Sequence, residues 1–304
     1  MTRQIPDIRP DALTLTAGRR LTLFACTAVL GYILTGLLTS VLIYKFGFTS
    51  PKVMRIAAVA QDIFALVTPA VVTAVMVTRL PAELLEIRGG VPCRMWAAAL
   101  LTVIAAAPAM NWVIEFNQNI NATGPLSAIV EKLREMEHNA EAAITIMQGN
   151  GTWGDLLMNV LIIGIAAGVS EELFFRGALQ RLLSTGGMSA HAAVWTSAVI
   201  FSALHLQFFG FIPRMLLGAY FGYLLVWSRS IWVPAAAHAL NNTIYVIAQW
   251  YYQRNGAPDV TVDNVGLGGT WPVAIVSLGV TVLLIVYLRK QRRGSFTRAS
   301  YGGK

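Results

Sequence analysis

Charge is scarce in this chain. Only 12% of its 304 residues are Asp, Glu, Lys or Arg, and 56% are hydrophobic, with a mean hydropathy of +0.59. A soluble globular domain carries about 25% charged residues, so half that share excludes an ordinary water-soluble domain. Cysteine is nearly absent: Cys26 and Cys93 are the whole supply. That excludes a disulfide framework and a metal–thiolate cluster. There is no Gly-x-Ser-x-Gly elbow for a serine nucleophile and no His-Glu-x-x-His zinc helix. The opening twenty residues are polar, no cleavage-site pattern follows, and the first apolar run outlasts a signal-peptide core. A first helix that stays attached is predicted.

Long apolar runs are what the chain has in abundance. Eight spans are predicted, at 20–43, 56–79, 94–114, 154–173, 190–206, 212–228, 231–252 and 270–288. The runs are continuous rather than alternating. In hydrocarbon every backbone group must be satisfied within its own segment, so helices are the solution. The fold class is an all-α polytopic membrane protein, a bundle of about eight transmembrane helices. Residues 1–19 form an N-terminal segment, 20–288 the transmembrane domain and 289–304 a basic tail.

The net charge of +8 sits mainly at the ends. Arg3, Arg9, Arg19 and Arg20 precede the first span, opposed by Asp7 and Asp11; Arg289, Lys290, Arg292, Arg293, Arg298 and Lys304 follow the last with no acid among them. Basic residues there are topology signals and lipid contacts rather than a nucleic-acid surface. With an even number of spans both termini are placed in the cytoplasm. Lys45, Lys52 and Arg55 run against that scheme, because it puts their loop outside. The third loop, about 118–150, is acidic. Leu126, Ile129, Val130, Leu133 and Met136 recur in it at helical spacing, which predicts an amphipathic helix on the membrane or capping the bundle.

A charge in hydrocarbon costs about 2.5–3.5 kcal/mol on insertion scales, so polar residues inside spans need a reason. They cluster in the second half: Glu171, Glu172, His205, His238 and Asn242. Asp62 and Glu115 are isolated outliers in the first half. Glu172 and Arg176 are four apart with the acid first, the favourable order for a pair on one helix face. Glu171 then points about 100° away and is free for another task. Phe201 can pack beside His205 one turn on, and His238 and Asn242 share a face. Gathered in one semi-dry pocket, a carboxylate, two imidazoles and an amide suit water activation and oxyanion stabilisation. A membrane-embedded hydrolase and a proton-linked transporter both fit that chemistry.

The ordered stretches "EELFFR", "FSALH" and "HALNN" carry a resemblance. Glu171-Glu172-x-x-x-Arg176, Phe201-x-x-x-His205 and His238-x-x-x-Asn242 resemble the signature of the Rce1-like family of CAAX-protease and bacteriocin-processing intramembrane endopeptidases, across about residues 154–250. The resemblance implies a peptidase acting on membrane-associated peptides or proteins in the lipid bilayer. It makes Glu171 the general base, with His205 holding the water and His238 and Asn242 stabilising the oxyanion. Glu172, Arg176 and Phe201 would be structural partners. Members of the family are described both as metalloproteases and as glutamic-type proteases. Glu171, His205 and His238 match the ligand number of a catalytic zinc; Asn242, a poor zinc ligand and a good oxyanion donor, favours the form that requires no cofactor. A multi-pass protein of a bacterial inner membrane is the expected setting. A non-catalytic scaffold or immunity protein is the remaining alternative.

Overall fold

In the computed structural model of the chain, residues 15–87, 89–120, 124, 127–256 and 261–299 are described, with side chains to residue 291. Arg3, Asp7, Arg9, Asp11, Leu126, Arg292, Arg293, Arg298 and Lys304 therefore lie outside the described side chains. Among the described residues there is no strand. Besides short turns such as Pro81–Leu84, the helices are α1 (Ala17–Phe46), α2 (Pro51–Val77), α3 (Cys93–Gln118), α4 (Ser127–Gln148), α5 (Trp153–Thr185), α6 (Ala190–Ala203), α7 (Phe211–Ser228), α8 (Trp232–Asn255) and α9 (Trp271–Ala299). The protein is an all-α, multi-pass membrane protein.

Every predicted span is a helix, with three informative differences. Six helices are long and apolar enough to cross a membrane: α1, α2, α3, α5, α9 and the segment Phe208–Ser228 that contains α7. Helix α6 is apolar but only 14 residues long. Helix α8 has the length but carries His238, Asn241, Asn242 and Gln249 along it. Second, α5 does not stop at its two carboxylates near 173 but runs on to Thr185, 33 residues in all. At 1.5 Å per residue that is about 50 Å, longer than the ~30 Å hydrocarbon core. Glu171 and Glu172 are thus mid-helix, not at a frayed end. Third, α9 continues past the expected limit of 288.

Lipid tails are as apolar as leucine, so helices in a bilayer associate by close packing and polar contacts rather than by escaping water. Two cores do this here. Phe24 of α1, Ala70 and Ala74 of α2, Phe174, Phe175 and Ala178 of α5, and Ala193 and Phe201 of α6 form one. Met95, Ala99 and Val103 of α3, Phe221 and Leu224 of α7, and Val233 and Ala237 of α8 form the other. The site lies where α5 and α8 meet between them. Outward-facing Leu30, Leu37 and Leu283 leave an apolar surface on α1 and α9, as a lipid-facing wall requires.

Close approach of α5 and α8 depends on Gly168. A Cβ there would lie 2.9 Å from the backbone nitrogen of Ala239, next to His238. Gly168→Ala is accordingly expected to push the two helices apart and cost about 1–3 kcal/mol, the usual price of overpacking, read as a lowered thermal midpoint in detergent.

Helix α4 is the amphipathic element predicted for the third loop. Val130, Leu133, Met136 and Ala140 are its half-buried stripe, whereas Ile129 is 57% exposed and faces away. It packs on α2 and on the turn Phe208–Gly210, so it caps the bundle. The chain then turns through Gly149 (φ 80°) and Gly151 (φ 73°), left-handed positions suited to glycine. Thr152 and Asp155 close a capping box that starts α5. Arg55 is tied into this corner: it pairs with Asp155 at 2.7 Å and donates to the carbonyls of Met147 and Gln148. That internal duty explains a basic residue at odds with the charge pattern of its loop.

Candidate active site

Helix α5 carries the acids between two π-helical stretches, Val160–Ala166 and Leu173–Gln180. Such wide turns frequently accompany functional positions. Glu172 and Arg176 form the expected pair, with both side chains wholly buried and Nη1 donating to Oε1 at 2.7 Å. Arg176 Nη2 also donates to the Gly218 carbonyl at 2.9 Å, and its guanidinium stacks over the Phe201 ring at 4.5 Å. One turn on, Gln180 donates to the Gly222 carbonyl in the same manner. The small pair Gly218/Gly222 thus exposes backbone carbonyls of α7 to the polar face of α5.

His238 is where the acids converge. Its Nδ1 donates to Glu172 Oε1 at 2.8 Å, and its Nε2 faces Glu171 Oε2 at 3.6 Å. Phe221 stacks on the imidazole at 4.7 Å between centroids and 20° between planes. Spacing alone made Glu172 a partner of Arg176; the structure adds that it orients His238, because a carboxylate can only accept. Nδ1 therefore carries a proton, and Nε2 is the atom presented to Glu171. Glu172 thereby fixes the tautomer and orientation of the imidazole, the part the buried carboxylate plays for histidine in hydrolytic triads.

His205 differs from expectation. It does not sit inside a helix, because α6 ends at Ala203. Its Nδ1 donates to the Phe201 carbonyl at 2.7 Å, satisfying one of the orphan carbonyls of the helix end, and Leu206 takes a left-handed φ of 55°. The Phe201 ring packs edge-on against the imidazole at 4.8 Å, as the four-residue spacing suggested. Nε2 of His205 keeps its lone pair, within electrostatic reach of Glu171, His238 and Arg214. Asn242 is one turn beyond His238 on α8; its Nδ2 donates to the Ile163 carbonyl at 3.2 Å, which leaves one amide hydrogen for another acceptor.

The loop that bears His205 is held from outside. Asn117 of α3 is buried and clamps it twice, accepting from the Ile212 amide at 2.7 Å and donating to the Phe208 carbonyl at 3.1 Å. Glu137 of α4 accepts from the Phe209 amide at 2.9 Å, and Arg134 lies 4.1 Å above the Phe209 ring. Burial raises the Glu137 carboxyl above its ordinary value, with the Phe209 amide working partly against that shift. Asn117→Ala strands a buried amide and carbonyl, worth about 1–3 kcal/mol. Its thermal midpoint in detergent is expected to fall, with a matching loss of activity from a displaced His205.

Of the two first-half outliers, Glu115 is exposed near the end of α3 and takes no part. Asp62 does: it is buried in a π-helical stretch of α2, and Ser170 Oγ donates to its Oδ1 at 2.8 Å. The three residues considered for zinc do not assemble as a ligand set. Among the described residues no three His, Cys, Asp or Glu side chains are grouped to hold a metal ion. Of these, His238 Nε2 and Glu171 Oε2 lie 3.6 Å apart.

Residues 153–244 match the family described as type II CAAX prenyl endopeptidase, Rce1-like. The matched segment contains Glu171, Glu172, Arg176, Phe201, His205, His238 and Asn242, and excludes Asp62 and Asn117. The curated "Uncharacterized protein YpbD" of Bacillus subtilis (strain 168) is similar, 25% identical over 91 residues, which is 29% of this chain. The alignment spans 43% of that relative's length, less than half of it. No solved structure matches the chain. The acid pair, the two histidines and the asparagine thus all fall inside the segment that is similar to the Rce1-like family.

Proposed function

We propose that the protein is an intramembrane endopeptidase that hydrolyses membrane-associated peptides or proteins with a water activated by Glu171. The observation that carries this reading is the convergence of Glu171 and Glu172 on the two nitrogens of His238. Glu171 Oε2 takes a proton from the water while His205 Nε2 accepts its other hydrogen. The water oxygen bonds to the scissile carbonyl carbon, and the carbonyl oxygen becomes an oxyanion. His238, with Glu172 beneath it to balance the charge of an imidazolium, donates from Nε2 to that oxygen, and the remaining amide hydrogen of Asn242 does the same. The C–N bond then breaks, and the proton held by Glu171 passes to the leaving nitrogen. No step passes through a metal.

The substrate is a peptide or protein seated in or on the bilayer, and the setting is a bacterial inner membrane with both termini in the cytoplasm. Support for the first point comes from the depth of the acids on α5, mid-way along a membrane-length helix. The test is a proteoliposome assay with a membrane-tethered reporter peptide, its products weighed by mass spectrometry, with proton flux recorded in parallel. Cleavage at an internal peptide bond is expected. An intact reporter together with a proton flux would replace this reading with the transporter one.

A further inference from the structure

Asp62 is the buried acid that the chemistry above leaves unused, and it lies outside the segment the family match covers. An intramembrane carboxylate is costly enough that its position needs a partner and a purpose. Its partner is Ser170, the residue immediately before Glu171. Ser170 is 2% exposed, and its hydroxyl lies within hydrogen-bonding distance of Asp62 Oδ1 across the helix interface, at 2.8 Å, and of the Ala167 carbonyl on its own helix, at 3.1 Å. Asp62 is also near enough to interact electrostatically with Glu171. The acid sits on a π-helical stretch of α2, Gln61–Val67, packed against the short stretch Ala167–Glu172 that bears both glutamates.

One restraint on Glu171 follows. The Asp62–Ser170 hydrogen bond fixes the rotation of α5 one residue before it. Glu171, so placed, faces His238 Nε2 at 3.6 Å. Other charged groups acting on the cluster are Arg176 on α5 itself and Arg214 on α7, each of which interacts with Glu171.

We infer that Asp62 is a positioning residue for Glu171, acting through Ser170, so that the working site includes α2 as well as the α5–α8 segment. The inference rests on the proposed peptidase reading. Its test compares Asp62→Ala, Asp62→Asn, Ser170→Ala and the Asp62→Ala/Ser170→Ala double variant with the parent in the reporter assay, each brought to equal folded protein by size-exclusion and thermal melting. Misplacing a catalytic group by about 1 Å costs on the order of 100-fold. Asp62→Ala and Ser170→Ala are each expected to lower kcat at least about tenfold with KM within about twofold. The double variant should be no slower than the slower single, because both remove one hydrogen bond. Asp62→Asn keeps the acceptor and should recover most of the lost rate. Ser170→Ala is a small change at a packed position and stands in should Asp62→Ala fail to fold. Parent-like kcat in Ser170→Ala, or an Asp62→Asn as slow as Asp62→Ala, overturns the inference. A parent that cleaves nothing overturns the peptidase reading instead, so the two failures are distinct.

Discussion

Glu171→Gln protein is expected to cleave the membrane-tethered reporter about 10²–10⁴-fold more slowly than the parent, the range for loss of a general base. Glutamine keeps the shape and the hydrogen-bonding reach of the side chain but cannot take a proton from water. The Glu171 side chain is only 17% exposed and faces His238 Nε2 across 3.6 Å, so the substitution leaves packing intact while removing the acceptor. KM should change little, because the lost interaction is made in the transition state. Equal melting temperatures for the two proteins separate this effect from unfolding. A Glu171→Gln form that cleaves at the parent rate contradicts the mechanism.

Arg176→Leu has the largest expected effect on stability. It leaves Glu172 wholly buried with a negative charge and His238 as its remaining partner. Breaking a buried pair by removing one partner costs about 3–5 kcal/mol, a large part of the 5–15 kcal/mol that holds a typical domain together. Glu172 Oε2 and Arg176 Nε already lack partners in the buried site, so no spare hydrogen bond compensates. Little folded protein should be recovered from membranes, with a sharply lowered melting temperature for what is recovered. Glu172→Leu/Arg176→Leu, which removes both charges, should regain much of that stability. It should remain inactive, because His238 then has nothing to hold Nδ1. A double variant that cleaves like the parent would show that Glu172 has no part in orienting the imidazole.

The helices were legible in the sequence because continuous apolar runs have one structural solution in a bilayer. Their ends were less so, and each miss has a local cause. Hydropathy continues through Leu204 and Leu206, so nothing in composition marks the end of α6 at Ala203; the stop is made by the His205 side chain turning back onto Phe201 and by a left-handed leucine. Two adjacent glutamates looked like the end of a span near 173, but Arg176 and His238 satisfy Glu172 inside the protein and α5 carries on. Within the site, the four-residue spacings revealed Glu172–Arg176 and Phe201–His205. Spacing along one helix could not reveal that His238 joins both acids, because that depends on α8 approaching α5 over Gly168. Asp62 was visible as an acid in an apolar run. Its partner Ser170, 108 residues away, was not. Asn117 gave no signal at all, since a polar residue near the end of a span looks like one facing water.

The most direct test of the claim that Glu171 and His238 act on one water is a double-mutant comparison of cleavage rates. Parent, Glu171→Gln, His238→Ala and the double variant are measured on the same reporter in the same proteoliposomes. Residues that work as a unit give strongly non-additive losses, so the double variant should be about as slow as the slower single. Losses that multiply would mean that the two side chains act independently, and would contradict a shared site between α5 and α8.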